Sequence, residues 1–204
     1  ILEDKWDGRR RNSRPIPPPC SSVNGPRGTL CLRELPEGAP ILFPMRISGF
    51  TFLRNADSLG YPFLEALRSV LPLVDEFVIA LAEGDSGDAT GEKLLALGSE
   101  KLRIIPTRWD LDRFPGGTIY ARQTDIAKEA CGGDWLLYLQ ADEILHEDDL
   151  EGIRSRCEKF VDDPRVEGMV FDYIHFWGSF NRHFRSHAWY AREIRIIRND
   201  QLHF

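Results

Sequence analysis

Two adjacent carboxylates, Asp142 and Glu143, follow a short apolar run at 135–139. A run of this length is too short for a helix and suits a strand that is buried on both faces. In an open parallel α/β sheet, ligands bind just beyond the carboxyl ends of the strands, which is where this strand would deliver the pair. Carboxylate oxygens bind hard divalent cations, so the pair is a candidate metal site. An acidic residue after a strand also serves as a turn former or helix cap.

Polar residues follow two other predicted strands in the same way. Asn55 comes after a strand predicted within 41–52, at a position where a nucleotide base or ribose could be bound. A second strand, predicted at 76–81, leads into an acidic loop that contains Glu83, Ser86 and Asp88. These loops would meet the metal candidate at one edge of a parallel sheet.

The helix predicted at 119–130 carries two polar residues, Arg122 and Gln123, at positions that its apolar spacing assigns to the core face. A buried arginine is costly unless it is paired. We therefore expect Arg122 to bind either a protein carboxylate or a ligand phosphate, since the guanidinium fork suits both. Gly116 and Gly117 would leave backbone N–H groups free for an anion at the start of this helix, although they also suit an ordinary helix start.

A strand predicted at 166–177 contains a further candidate for proton transfer. Asp172 is the single carboxylate on a face that otherwise carries Val170, Ile174 and Phe176. Burial on that face would raise the pKa of Asp172 towards the range of a general base. The alternative is an aspartate that is hydrogen-bonded in the core. The arginines that follow, within 182–198, either bind a phosphate or form the charged face of an ordinary strand.

Strand-like and helix-like segments alternate from residue 41 onward, and this alternation would bring the candidate residues together. It predicts the α/β class, with an open, mostly parallel sheet flanked by helices. Residues 1–40 are rich in proline and arginine and show no periodicity, so we interpret them as an extension or linker. The ordered domain is expected to occupy 41–204.

Composition excludes several classes of protein. The net charge of −6 argues against a general nucleic-acid binder, because neutralising phosphates requires a basic surface. No apolar run approaches the roughly 18 residues that span a bilayer, and no signal-peptide core is present, so we expect no membrane span and a cytoplasmic location. The four cysteines lack the spacing of a zinc cluster or a thioredoxin-like site, and we expect reduced thiols.

From about residue 47 to residue 199 the chain resembles glycosyltransferase family 2, nucleotide-sugar enzymes with the GT-A (Rossmann-like) fold. In that family the second strand ends in an acidic residue and a Ser-x-Asp-x-Thr loop, matched here by Glu83, Ser86, Asp88 and Thr90. Arg122 and Gln123 are similar to its Arg-Asn pair near the diphosphate. The segment 140–143 is similar to its Asp-x-Asp metal motif, in the form Gln-x-Asp-Glu of one branch of the family.

Two features depart from the family pattern. Gln140 replaces the first aspartate of the motif and removes a charge that would contact the metal or ribose. Family members also continue into an acceptor-binding region, so we expect the domain to be incomplete at its C-terminus.

The resemblance implies an inverting glycosyltransferase that moves a sugar from a UDP- or GDP-linked donor to a hydroxyl of an unknown saccharide or lipid-linked acceptor. Mn²⁺ or Mg²⁺ on Asp142 would stabilise the leaving diphosphate, and Arg122 would add a fixed positive charge. Glu143 or Asp172 would accept the proton of the acceptor hydroxyl, although family members usually supply this base from a later position. The other donor-binding residues implied are Glu83, Ser86, Asp88, Gln123 and Gln140.

Two other functions stay open on the sequence alone. One is a catalytically silent GT-A domain that binds nucleotide or scaffolds an assembly, which Gln140 favours. The other is an α/β phosphotransfer domain in which Asp142 is the phosphate acceptor. No P-loop and no Gly-x-Gly-x-x-Gly pattern is found in the sequence, which argues against kinase and dinucleotide-binding functions.

Overall fold

The computed structural model describes residues 44–179, 181–184 and 189–199. The predicted extension at 1–40 lies outside these residues. Within them, strands and helices alternate as the sequence predicts. The strands are β1 Ile47–Leu53, β2 Glu76–Ala82, β3 Leu102–Thr107, β4 Trp135–Tyr138, β5 Gly168–Asp172, β6 His175–Phe176, β7 His183–Phe184 and β8 Arg192–Arg198. The helices are α1 Phe63–Val70, α2 Thr90–Ala96, α3 Thr118–Glu129 and α4 Leu150–Phe160.

Six strands form one sheet in the order β3-β2-β1-β4-β8-β5. The first four are parallel to one another, and β8 runs antiparallel to both β4 and β5. A separate antiparallel ribbon pairs β6 with β7. The predicted fold class, an open, mostly parallel α/β sheet flanked by helices, is confirmed.

The order of the strands reverses between β1 and β4. The chain first adds β2 and β3 on one side of β1, and it then returns through α3 to place β4 on the other side. The loops that leave β1 and β4 therefore diverge, and a crevice opens beyond the carboxyl ends of these two strands. In doubly wound sheets this switch point is where ligands bind.

Both faces of the sheet are buried because β1, β2 and β4 are apolar on both sides. On one face, α1, α2 and α4 contribute Leu67, Leu94 and Cys157 to the larger core. On the other face, α3 packs Ala127 against Phe50 and other strand residues. Among the described residues, no helix is long and apolar enough to cross a membrane.

Trp135 anchors β4 between the sheet and α4. Its side chain is fully buried, and its Nε1–H donates to the Cys157 carbonyl at 3.0 Å. The Arg198 guanidinium carbon lies 4.6 Å from the centre of the indole ring. The strand that presents the acidic pair is thus anchored at its start by the packing and the hydrogen bond of Trp135.

Candidate functional site

A cavity of about 380 Å³ occupies the switch point. Its lining comes from the end of β1 and the loop after it, the end of β4 and the turn after it, the loop after β3, and the start of α3. Among the described residues that line it, Arg54 is the one cationic side chain and Asp142 the one anionic side chain. The crevice therefore offers one group of each charge.

One wall of the crevice is aromatic. Phe52 and Tyr120 stack with ring centres 5.7 Å apart and planes 16° apart, and Trp109 meets Tyr120 edge-on at 5.5 Å. Tyr120 is half exposed, so a ring face is open to a ligand. The Trp109 Nε1–H is buried and has no hydrogen-bond partner in the described part of the chain, which is rare for an indole. Such a wall suits the stacking of a planar base.

Arg54 is held at the edge of this wall. Its Nη2 donates to Asp85 at 2.8 Å, and its Nε donates to the Glu83 carbonyl at 3.1 Å. Its guanidinium carbon lies 5.1 Å from the centre of the Trp109 ring. Nη1 makes no hydrogen bond to the residues that the structure describes. The fork is thus fixed on one side and available to an anion on the other.

Asp142 lies in a closed turn directly after β4. The Gln140 N–H donates to Glu143 Oε2 at 3.0 Å, and the Glu143 N–H donates to the Gln140 carbonyl at 3.2 Å. Asp142 itself is exposed. The turn therefore presents the Asp142 carboxylate and the Gln140 side chain to the crevice, where both were predicted to act.

A divalent cation fits this site only in part. Among the described residues, no group of three or more His, Cys, Asp or Glu side chains is placed to hold a metal ion. Of the described residues that line the crevice, Asp142 is the one that offers a free carboxylate. Mg²⁺ is commonly bound by one or two carboxylates together with substrate phosphates. Asp142 therefore fits a cation that is bound jointly with a diphosphate.

Glu143 does not have the freedom that a general base requires. Its Oε1 accepts hydrogen bonds from the Tyr173 hydroxyl at 2.7 Å and from Arg195 Nη2 at 2.6 Å, while Oε2 accepts from Gln140. The Glu143 and Arg195 side chains are only 10% and 11% exposed. The Glu143 carboxylate thus anchors the turn, and the predicted catalytic role does not agree with its surroundings.

The same cluster shifts two neighbouring groups. Burial raises the pKa of Tyr173, and its hydrogen bond to the Glu143 carboxylate raises it further. Burial alone would lower the pKa of Arg195, but the bonds to Glu143 outweigh it and the pKa is raised. The Arg195 guanidinium therefore keeps its charge and the Tyr173 hydroxyl keeps its proton throughout the ordinary pH range.

Asp172 is exposed, contrary to the prediction that burial raises its pKa. Its side chain is 79% exposed, and it accepts a hydrogen bond from Arg192 Nε at 2.6 Å. The face of β5 that packs on the core carries Met169 and Phe171, while Val170 is 61% exposed. Asp172 is also not among the residues that line the crevice.

Asn55 joins the loops that follow β1 and β2. Its Nδ2 donates to Asp85 Oδ2, and the Asp85 N–H donates to Asn55 Oδ1, both at 2.7 Å. Its backbone φ is 54°, in the left-handed region that asparagine tolerates better than most residues. Asn55 is 8% exposed, so it braces the loop beneath Arg54 and offers little surface to a ligand.

Asp88 organises the start of α2. It accepts hydrogen bonds from the Ser58 N–H at 3.1 Å and from the Thr90 N–H and hydroxyl at 3.1 and 3.0 Å. Burial raises the pKa of Asp88, but these hydrogen bonds outweigh it and the net shift is downward. Glu83 and Ser86, in the same loop, are exposed. Their predicted contacts with a nucleoside stay predictions.

The two polar residues of α3 divide between surface and core. Gln123 is 1% exposed; its Oε1 accepts from the Thr107 hydroxyl at 2.6 Å, and its Nε2 donates to the Arg108 carbonyl at 3.4 Å. It therefore ties α3 to β3, and its amide is occupied within the protein.

Arg122 is exposed, so its predicted place on the core face is wrong. The buried stripe of α3 runs through Ile119, Gln123 and Ala127. Positions two apart on a helix differ by about 200°, so Arg122 lies on the flank opposite Tyr120, the helix residue that lines the crevice. The predicted phosphate contact of Arg122 has no support in this arrangement.

Sequence reasoning missed two residues that shape the site, Trp109 and Tyr120. It considered Arg54 and Arg195 only as members of larger groups, the residues that follow β1 and the arginines within 182–198. Arg54 and Trp109 each follow a strand at the edge where ligands bind, so the reasoning that found Asp142 applies to them as well. Tyr120 and Arg195 had no comparable signal, because their importance depends on contacts with distant segments.

Comparison with known proteins gives matches among solved structures only. No family model and no curated protein matches the chain. The crystal structure of S. aureus TarS 1-349 is 18% identical, with a TM-score of 0.41, over 56% of this chain and 33% of that one. Glucosyl-3-phosphoglycerate synthase from Mycobacterium tuberculosis, in complex with Mn²⁺, UDP and phosphoglyceric acid, is 17% identical, with a TM-score of 0.41, over 63% of this chain and 43% of that one. The match thus covers less than half of the length of each of those two solved structures.

Proposed function

We propose that this domain is a GT-A glycosyltransferase that binds a nucleoside-diphosphate sugar, UDP- or GDP-linked, in the crevice between β1 and β4. The observation that carries the proposal is the juxtaposition, at the switch point of the sheet, of one cation, one free carboxylate and an aromatic wall. A nucleoside diphosphate has matching parts: a planar base and a chain of anionic oxygens.

Each part of the crevice has a role in this proposal. Phe52, Trp109 and Tyr120 would receive the base by stacking. Arg54, rather than Arg122, would contact the diphosphate through its free edge. Asp142 would hold Mn²⁺ or Mg²⁺, which offsets the charge that develops on the leaving diphosphate.

Transfer also requires a base on the acceptor side, with inversion at the sugar carbon as the proposed outcome. Of the two predicted bases, Glu143 is bound on both oxygens, whereas Asp172 is solvent-accessible and bonded to Arg192. Asp172 is therefore the candidate that we retain. The acceptor is proposed to be a saccharide or lipid-linked hydroxyl.

Calorimetric titration with UDP, GDP and their sugar conjugates, with and without Mn²⁺, tests the binding proposal. We expect one nucleotide class to bind, and Mn²⁺ to strengthen binding in the wild type but not in Asp142→Asn. Absence of nucleotide binding under every condition would overturn the proposal. Ser155→Ala, on the exposed side of α4, serves as the matched control.

A catalytically silent nucleotide-binding domain is the second candidate. Two features of the turn favour it: Gln140 is neutral, and the Glu143 carboxylate is bound by Arg195. Together they leave Asp142 as the one free carboxylate of the turn. Release of UDP or GDP from the bound sugar conjugate, with water or an added sugar as acceptor, separates the two. Binding without release over hours would favour the silent domain.

A further inference from the structure

A buried ion pair lies behind the turn that carries Asp142. Glu143 belongs to the turn, and Arg195 belongs to β8, 52 residues further along the chain. Arg195 Nη2 and Nε approach the carboxylate at 2.6 and 3.1 Å. The two side chains are about nine-tenths buried, so solvent screens their attraction only weakly.

Aromatic rings enclose the guanidinium of Arg195. Its central carbon lies 5.5 Å from the centre of the Tyr138 ring and 5.3 Å from that of the Tyr173 ring. Tyr173 also donates its hydroxyl hydrogen to Glu143 at 2.7 Å. Tyr138 also lines the crevice, so one ring that contacts Arg195 borders the ligand space as well.

Stability alone does not explain this arrangement. The desolvation of two charges offsets much of their attraction, and apolar residues of similar volume often serve as well in a core. A buried pair does, however, fix geometry, since a bidentate guanidinium restricts the position of the carboxylate. What it fixes here is the backbone of the turn, because Glu143 Oε2 also accepts the N–H of Gln140.

We propose that Arg195 is a positioning residue: by clamping Glu143, it holds the 140–143 turn in the conformation that presents Asp142 to the crevice. The clamp also withdraws Glu143 from ligand chemistry and leaves Asp142 as the free carboxylate. The consequence for ligand binding rests on the proposed function, whereas the effect on the turn does not.

Loss of the clamp has two expected effects. Without Arg195, the Glu143 carboxylate is left buried and unpaired, and it turns towards solvent to regain hydration. The hydrogen bonds that close the turn then open, and the position of Asp142 is no longer defined. Binding of a cation together with a diphosphate would suffer, while contacts at Arg54 and the aromatic wall would not.

Arg195→Met tests the proposal, with Arg192→Met as the matched control. Arg192 lies on the same strand and also pairs with a carboxylate, Asp172, but both side chains of that pair are mostly exposed, at 71% and 79%. The first measurement is the hydrogen-exchange rate of the Gln140 and Glu143 amides. We expect Arg195→Met to accelerate both by about tenfold or more, the equivalent of one lost hydrogen bond to a charged group. Arg192→Met should leave both rates unchanged.

The second measurement is the ratio of nucleotide affinities with and without Mn²⁺. We expect Arg195→Met to reduce this ratio towards one while it leaves the metal-free affinity within about twofold of the wild type. A merely structural role would lower both affinities together. Arg195→Lys should recover part of the ratio, since it restores the charge but not the planar fork.

Tyr173→Phe keeps the ring beside Arg195 and removes a single hydrogen bond, so it provides a milder test if Arg195→Met does not fold. It should accelerate exchange at the same two amides, by less. The proposed clamp would be overturned if amide exchange at Gln140 and Glu143 were unchanged in Tyr173→Phe and also in an Arg195 variant that folds, either Arg195→Met or Arg195→Lys. If the wild type shows no metal-linked nucleotide binding, the proposed function fails, and the exchange rates still decide the role of Arg195.

Discussion

Replacing Arg54 with methionine gives a direct test of how the crevice would bind a diphosphate. Methionine keeps much of the side-chain volume beside Trp109 and removes the one cation found among the described residues of the crevice. A hydrogen bond to a charged group contributes about 1.5–3 kcal/mol. At about 1.4 kcal/mol for each factor of ten, the Kd for the nucleotide diphosphate should rise by roughly 10- to 150-fold.

The same substitution should have little effect on stability. Arg54 and its partner Asp85 are 29% and 69% exposed, so their ion pair contributes less than about 1 kcal/mol. Affinity and stability therefore separate, and a loss of binding cannot be attributed to unfolding. Arg54→Lys, which keeps the charge without the fork, should have an intermediate affinity.

Calorimetry provides the affinity, and thermal unfolding provides the stability. Arg68→Met is the matched control, because Arg68 pairs with Glu65 on the exposed side of α1, where both side chains are 58% exposed. We expect this control to bind nucleotide as the wild type does. An Arg54→Met protein whose Kd lies within about twofold of the wild type would refute the assignment of Arg54 to the diphosphate.

Three further predictions concern stability and reactivity. Gly49→Ala would drive a methyl group into the buried Phe77 ring and should lower the free energy of unfolding by about 1–3 kcal/mol in urea titrations. Asp88→Asn should destabilise the protein at neutral pH and make its stability less sensitive to acid. The pKa of Asp88 in the folded protein lies below its ordinary value of 3.8, so the stability that the carboxylate contributes is fully present above pH 3.8 and is lost as the pH falls through the folded pKa. Burial raises the pKa of Cys131 to about 12 and that of Cys157 to about 11, so both thiols should react with thiol reagents at pH 8 only after unfolding in denaturant; rapid modification of the native protein would contradict this.

The fold class could be predicted because the signal for it is local. Runs such as 135–139 are apolar on both faces, which requires burial between two layers in any arrangement of the remaining chain. The position of Asp142 follows from the same signal, since a strand end in a parallel sheet is also a ligand-binding edge. Both predictions needed only the order of residues within one segment.

The sequence-based predictions fail where contacts with distant segments determine which side chains are buried. In the sequence, both faces of the β5 region are apolar. The face that packs inward is the one that carries Met169, because Met169 lies opposite the core residue Ile196 of β8. Asp172 is exposed as a result. The binding of Glu143 to Arg195 likewise joins residues 52 positions apart, which no local pattern indicates. For Arg122, apolar spacing extended the core stripe to an exposed position, whereas Ile126 and Ala130 on the same flank of the helix do pack against the core.

A crystal structure with bound nucleoside diphosphate and Mn²⁺, with diffraction data collected at the manganese absorption edge, would show where the metal and the nucleotide bind. We expect an anomalous peak within bonding distance of the Asp142 carboxylate, with the diphosphate between that peak and Arg54 and the base against the ring of Tyr120. A peak at any other carboxylate, or nucleotide density outside the crevice between β1 and β4, would contradict this expectation.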